Sequence, residues 1–139
     1  MTSDLPLAPS YTTESQDIRV TVFPIYLDNQ SEPDENHYLW AYHVRIENLG
    51  TLPVQLKNRH WEITDGLGRT QVVKGSGVVG EQPFIQPGEI YEYTSGTPLT
   101  TPSGIMVGHY SMSRNDGELF DVDVPAFSLD SPYQPIILN

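Results

Sequence analysis

The sequence predicts an all-β protein folded as an antiparallel β-sandwich. Three observations predict it. Apolar residues recur with period two along most of the chain, the spacing of strands buried on one face. No stretch carries an apolar stripe at the 3.6-residue spacing of a helix. Twelve prolines and eleven glycines are spread along 139 residues, which forbids long helices and supplies turns.

Residues 1–16 show no periodicity and read as a flexible lead-in. Ile18, Val20 and Val22 alternate with Arg19 and Thr21, and Phe23-Pro24 is expected to break or bulge that strand. Residues 28–36 make an acidic, proline-containing loop that lacks the spacing and glycine of a calcium loop. Tyr38, Trp40, Tyr42, Val44 and Ile46 share one face of the next strand, and His43, Arg45 and Glu47 the other. Val54 and Leu56 have one parity, Trp61 and Ile63 the opposite. Either a β-bulge near Asn58-Arg59 resets the phase or the strand changes sheets there. Asp65-Gly66-Leu67-Gly68 marks a hairpin whose return strand covers 69–74. Pro87-Gly88 marks a turn before a strand over 90–95, and Asn115-Asp116-Gly117 a hairpin between strands over 105–112 and 119–124. About seven or more short strands punctuated in this way suit a sandwich of the fibronectin type III or immunoglobulin-like kind. It forms one domain over 17–130, with a C-terminal tail over 131–139.

Charge narrows the partners. Seven basic residues against eighteen acidic ones leave a formal net charge of −11. That field repels nucleic acid and anionic lipid, whose binding depends on lysine and arginine neutralising phosphates. No nucleic-acid or membrane partner is expected. The chain has no cysteine, which excludes a thiolate nucleophile, disulfides and a zinc–thiolate site, and suits a reducing cytosol. No apolar run approaches the roughly 20 residues of a membrane span and no signal pattern opens the chain, so the expected location is cytoplasmic.

The string most suggestive of chemistry is Gly75-Ser76-Gly77-Val78-Val79-Gly80. It matches the dinucleotide-binding Gly-x-Gly-x-x-Gly, but two prolines within the next eight residues preclude the helix that such a site requires. The alternatives are a nest of backbone N–H groups that holds an anion, with Lys74 beside it, or glycines that merely permit a sharp crossover. The four histidines (His37, His43, His60, His109) have no metal-ligand spacing, although His43 and His60 are candidates to meet in space. No metal site is predicted. Asp121 and Asp123 share a strand face and could hold a hard cation such as Mg²⁺, but solvated outward carboxylates are the favoured reading. Arg59 beside Trp61 could bind a carboxylate or phosphate, but a core tryptophan with Arg59 capping it at the surface is the favoured reading. No nucleophile elbow or Cys–His pair occurs, so the chain reads as a non-enzymatic module.

At this point longer motifs resemble the ApaG family. They are residues 59–65 (Arg-His-Trp-Glu-Ile-Thr-Asp), the glycine loop with 78–83, Pro87-Gly88-Glu89, 91–96 (Tyr-Glu-Tyr-Thr-Ser-Gly), Pro98-Leu99, Thr101-Pro102, and the Gly104, Met106, Gly108, Tyr110, Met112 series. Phe120-Asp121-Val122 and 125–129 (Pro-Ala-Phe-Ser-Leu) complete the match over nearly the whole chain. The resemblance implies a fibronectin type III-like sandwich and a cytosolic bacterial protein linked to cobalt and magnesium resistance. It also implies a glycine motif, proposed to bind phosphates, on Gly75, Gly77 and Gly80. Related domains in eukaryotic F-box proteins and a polymerase-delta-interacting protein look like interaction modules.

Two expectations follow. The first is a protein-interaction module with an unknown partner, for which exposed sandwich edges also allow a homodimer. The second is a sensor that binds pyrophosphate or a nucleotide polyphosphate at Gly75, Gly77, Gly80 and Lys74, with Arg59 or Arg69 adding charge. It needs no resident cofactor; magnesium or cobalt would bridge the ligand. Gly77→Val is expected to abolish such binding with the fold intact.

Overall fold

The computed structural model describes residues 10–114 and 117–133. Nine strands lie among them: β1 (Tyr11–Ser15), β2 (Ile18–Tyr26), β3 (Tyr38–Asn48), β4 (Val54–Asp65), β5 (Thr70–Ser76), β6 (Phe84–Ile85), β7 (Ile90–Leu99), β8 (Ser103–Ser113) and β9 (Leu119–Asp130). One sheet runs β1-β2-β3-β7. The other runs β5-β4-β8-β9, and β6 pairs with β4 at Val54 and Gln55, beyond the end of β5. All pairings are antiparallel.

Period-two patterning explains the two layers. Every second residue of β3 is buried, from Tyr38 through Ile46, and these face Trp61, Ile63, Met106, Tyr110 and Phe127 of the other sheet within one core. Trp61 sits at its centre, with edge-on contacts to Tyr42, Tyr110 and Phe127. Gly108 makes room for it, because a Cβ there would lie 2.8 Å from the indole Cε3 and collide with the His60 carbonyl oxygen. The parity change within β4 is a bulge: the register on β8 shifts between Leu56 and Asn58. The strand therefore stays in one sheet, and Arg59 acquires the inward parity of Trp61.

Several expectations change. Residues 11–15 are not lead-in but β1, an edge strand paired with β2 from Tyr11 to Ser15. Its period-two burial is too weak to stand out in sequence. Phe23-Pro24 interrupts nothing: β2 keeps its register with β3 through Tyr26. Pro24 lies beyond the reach of β1, which ends opposite Val22, so its missing N–H costs no ladder bond on that side. The return strand after Gly68 continues to Ser76 and takes Gly75 with it. The acidic 28–36 loop holds two single-turn 3-10 helices. Asn115 and Asp116 lie outside the described residues, while Gly117 has φ +79° and donates to the Arg114 carbonyl. Of the expected tail, Ser131 donates to Pro102 and Tyr133 packs on Tyr26; residues 134–139 lie outside the described residues.

The sandwich is closed on one side and open on the other. On the closed side the Asp123 N–H donates to Ser15 Oγ (3.0 Å), which ties β9 to β1 across the layers. On the open side lie β5 and β7, each the edge of its own sheet and not paired with one another.

Candidate functional site

The glycines of the 75–80 segment do three different things. Gly75 lies within β5 opposite Arg59, whose side chain reaches from β4 across the edge strand. A Cβ at position 75 would stand 2.7–2.8 Å from the guanidinium, so only glycine lets it lie there. Arg59 Nη1 donates both hydrogens, to the carbonyls of Ser76 (3.0 Å) and Gly77 (2.9 Å). Gly77 is left-handed (φ +65°), and its N–H donates to Lys57 O. Gly80 (φ +81°) follows Val79 (φ +43°) in a tight turn closed by reciprocal Val78–Glu81 bonds of 2.8 and 2.9 Å.

These bonds occupy part of the motif. The N–H groups of Gly77, Val78 and Glu81, which would form part of an anion nest, all donate to backbone carbonyls. The carbonyls of Ser76 and Gly77 instead hold a cation. Gly77→Val loses its value as a probe: its Cβ would collide with the Glu81 carbonyl oxygen at a positive φ, so the turn itself would fail.

Nη1 is fully used, but Nε–H and the two Nη2 hydrogens of Arg59 have no acceptor among the described residues. Nε and Nη2 form the side-on fork that takes a carboxylate or phosphate in two parallel bonds. No carboxylate of the described residues fills it. By contrast Arg19, Arg45 and Arg69 are engaged by Glu14 and Glu47, Glu92 and Asp65. The guanidinium faces the other sheet closely enough for its charge to act on the Tyr42 and Tyr93 hydroxyls.

On the outer face of the same strands, cross-strand register lines up Lys74, His60, His109 and Asp123, with Ser76, Asn58, Ser111 and Asp121 in the adjacent row. The His60 and His109 rings stack at 4.8 Å and 14°. Lys74 has no ion pair among the described residues. A concavity of about 470 Å³ opens here, and its lining residues, Lys74, His60, His109 and Arg59 among them, include no carboxylate. The expected meeting of His43 with His60 does not occur, because they lie in different sheets. His43 is held by Thr94 (2.8 Å) and Glu92 (2.9 Å). No group of three histidine or carboxylate side chains able to hold a metal occurs among the described residues.

Behind Arg59 lies a buried hydroxyl cluster. Tyr93 and Tyr110 hydrogen-bond to each other, and burial pushes both phenols well above their ordinary range. Burial also raises Tyr42, although Ser95 and the Arg59 charge oppose that shift. The sequence reading singled out Gly75, Gly77, Gly80 and Lys74 as an anion loop, and they lie at the end of β5 and in the turn after it. It missed the inward turn of Arg59 and the stacking of His60 on His109. The parity change at Asn58 is the signal that could have found the first.

The family described as ApaG domain (DUF525) matches residues 28–114. Protein ApaG of Paramagnetospirillum magneticum is 62% identical over 129 residues, covering 93% of this chain and 99% of that protein. Protein ApaG of Rhodospirillum centenum is 61% identical over 123 residues, covering 88% and 95%. A crystal structure of a Bordetella pertussis protein named ApaA superposes with a TM-score of 0.80 at 46% identity, covering 93% of this chain and all of that one.

Proposed function

This chain belongs to the ApaG family, and we propose that it is a non-catalytic binding module for a phosphate-bearing ligand, held at the edge of β5 by Arg59. The observation that carries the reading is the unfilled Nε/Nη2 fork. Its base is pinned by the Ser76 and Gly77 carbonyls, and Arg59 also lines a hollow whose lining residues include no carboxylate, in a chain with net charge −11. A partly buried guanidinium without a counter-ion is costly to desolvate, and an incoming phosphate supplies the missing charge and acceptors. Lys74 follows the same edge strand, and His60 and His109 add N–H donors when protonated. The glycine motif thus serves the anion indirectly, by seating the arginine. Magnesium or cobalt enters only as the ligand's counter-ion, which lowers the repulsion between a polyphosphate and an acidic protein. The family link to those metals is consistent with that role. No helix among the described residues is long and apolar enough to cross a membrane.

Calorimetric titration of pyrophosphate into the parent protein and Arg59→Gln, with and without Mg²⁺, tests this. Saturable micromolar binding to the parent and at least about tenfold weaker binding to the variant are expected. No heat from the folded parent in either condition would end the reading.

A second reading, a protein-docking face, is favoured by Phe84 and Leu119, which are 67% and 60% exposed. They flank a trough of about 520 Å³ whose ionic residues are Lys57 and Arg114, a surface suited to an acidic segment. A single monomeric species in sedimentation at all concentrations would remove a second copy of the chain as that partner.

A further inference from the structure

We infer that the ligand of this site carries a planar apolar body, which enters the open seam between β5 and β7 and lies against Trp61 while its anionic head occupies the Arg59 fork. The inference rests on the anion reading above.

The seam exists because the inward residues of the two edge strands do not fill it. Tyr91 and Tyr93 point inward from β7 at one end, but the next inward positions are Ser95 and Thr97, with Gly96 between them. On β5 the facing residues are Gln71, Val73 and Gly75. Small side chains on one lip and a short strand on the other leave a cavity of about 260 Å³. Its walls include Trp61, Met106, Val73 and Pro98, and Arg59 stands in the lining of both this cavity and the outer hollow. A volume of roughly 150 Å³ accepts a benzene ring, so this cavity has the room for a single ring or a small fused pair. Trp61 is almost completely buried yet contributes to the lining, so a ring entering the seam meets an aromatic wall.

Polarity is distributed to suit such a molecule. The Tyr42 hydroxyl interacts with Ser95, and the Tyr93 and Tyr110 hydroxyls with each other, so these phenols make no strong demand on a ligand. The unsatisfied group is the guanidinium fork. A second cavity of about 290 Å³ shares Ile63, Gln71 and Pro98 with the first and leads to the Asp65–Arg69 ion pair. That mutually neutralised pair closes the far end with polar groups. The site therefore has a charged mouth, a chamber of mixed polar and apolar lining with an aromatic wall at Trp61, and a polar stop. A phosphate joined to an aromatic ring matches this order.

The test compares methyl phosphate and phenyl phosphate, which share a head and differ in the body, with pyrophosphate as a head-only control. Calorimetry gives affinities, and amide and indole N–H shifts in NMR report contact with Trp61. Phenyl phosphate is expected to bind about tenfold or more tightly than methyl phosphate and to move the Trp61 indole resonance. Ser95→Leu, which fills the chamber, is expected to erase that advantage and keep pyrophosphate affinity; far-UV circular dichroism checks its fold. Equal binding of the two esters with an unmoved indole would overturn the inference and leave the anion reading standing. So would pyrophosphate binding with neither ester bound, or an aromatic advantage that survives in folded Ser95→Leu. Failure of all three ligands would overturn the anion reading and the inference with it.

Discussion

Gly75→Ala adds one methyl group where the chain keeps room for a guanidinium. The new Cβ would stand 2.7 Å from Nη2 and 2.8 Å from Nη1, about 0.7 Å inside ordinary contact. Gly75 has no left-handed φ, so the strand accepts alanine and the flexible arginine must move instead. A shift of that size takes the Nη1 bonds to Ser76 and Gly77, now 3.0 and 2.9 Å, beyond useful hydrogen-bond length. Two charged hydrogen bonds at about 1.5 kcal/mol each are lost. Alanine in a strand returns roughly 0.5–1 kcal/mol over glycine. The net cost to stability is about 2 kcal/mol, which leaves the chain folded at room temperature on the usual scale of domain stability. The ligand loses a fork-shaped charge-assisted contact, about 1.5–3 kcal/mol, or roughly 10- to 150-fold in affinity. Urea unfolding monitored by tryptophan fluorescence measures the first quantity and pyrophosphate calorimetry the second. A folded Gly75→Ala protein that binds pyrophosphate within twofold of its parent would refute both the seating role of the glycine and the role of Arg59 in binding.

Two further outcomes concern the tyrosines behind the arginine. Tyr110→Phe leaves the buried Tyr93 hydroxyl without its partner and should cost about 1–3 kcal/mol in urea unfolding. Tyr93→Phe combined with it should cost less than the two single changes together; strictly additive effects would show that the hydroxyls are not coupled. Alkaline pH should destabilise the protein. Unfolded tyrosines ionise near pH 10, whereas burial keeps Tyr93, Tyr110 and Tyr42 protonated above that value. Above pH 10 the unfolded chain therefore binds fewer protons than the native one. Stability is complete below pH 10 and declines as pH rises, by up to about 1.4 kcal/mol per unit for each such tyrosine. The urea midpoint followed from pH 8 to 11.5 should fall beyond pH 10, less steeply in Tyr110→Phe; a flat profile would contradict the burial argument.

The fold was legible because sandwich strands expose their burial pattern directly. Residues 38–46 and 119–124 alternate strictly, and their neighbours across the sheet alternate in phase. What escaped reading was governed by pairing rather than pattern. The β1 strand has too short and polar a period to announce itself, and it is a strand because β2 and β9 lie beside it. Pro24 looked like a strand breaker because its cost depends on whether a neighbour needs its N–H, and the short β1 makes no such demand.

The candidate site divides along the same line. Composition and spacing located residues 74–80, since a glycine cluster in so acidic a chain is conspicuous. They could not say which half of each peptide group was available. Strand pairing decides that: Lys57 and the Val78–Glu81 turn consume N–H groups, and two carbonyls are left to hold Arg59. Counting forward from the buried Leu56 would turn Arg59 outward, because the extra residue of the bulge lies between Leu56 and Asn58. Counting straight back from the buried Trp61 already places Arg59 on the inward face, and the expected surface cap contradicts that count. An arginine placed inward at the edge of a sandwich has three ways to satisfy its charge: a carboxylate from its own chain, backbone carbonyls, or an anion from outside. In a chain with eighteen acidic residues the first is the easiest to supply, yet none of the described carboxylates pairs with Arg59. Two carbonyls satisfy one nitrogen and orient the other two. That division of labour suits reception of an anion better than a structural clamp, for which any carboxylate would have served.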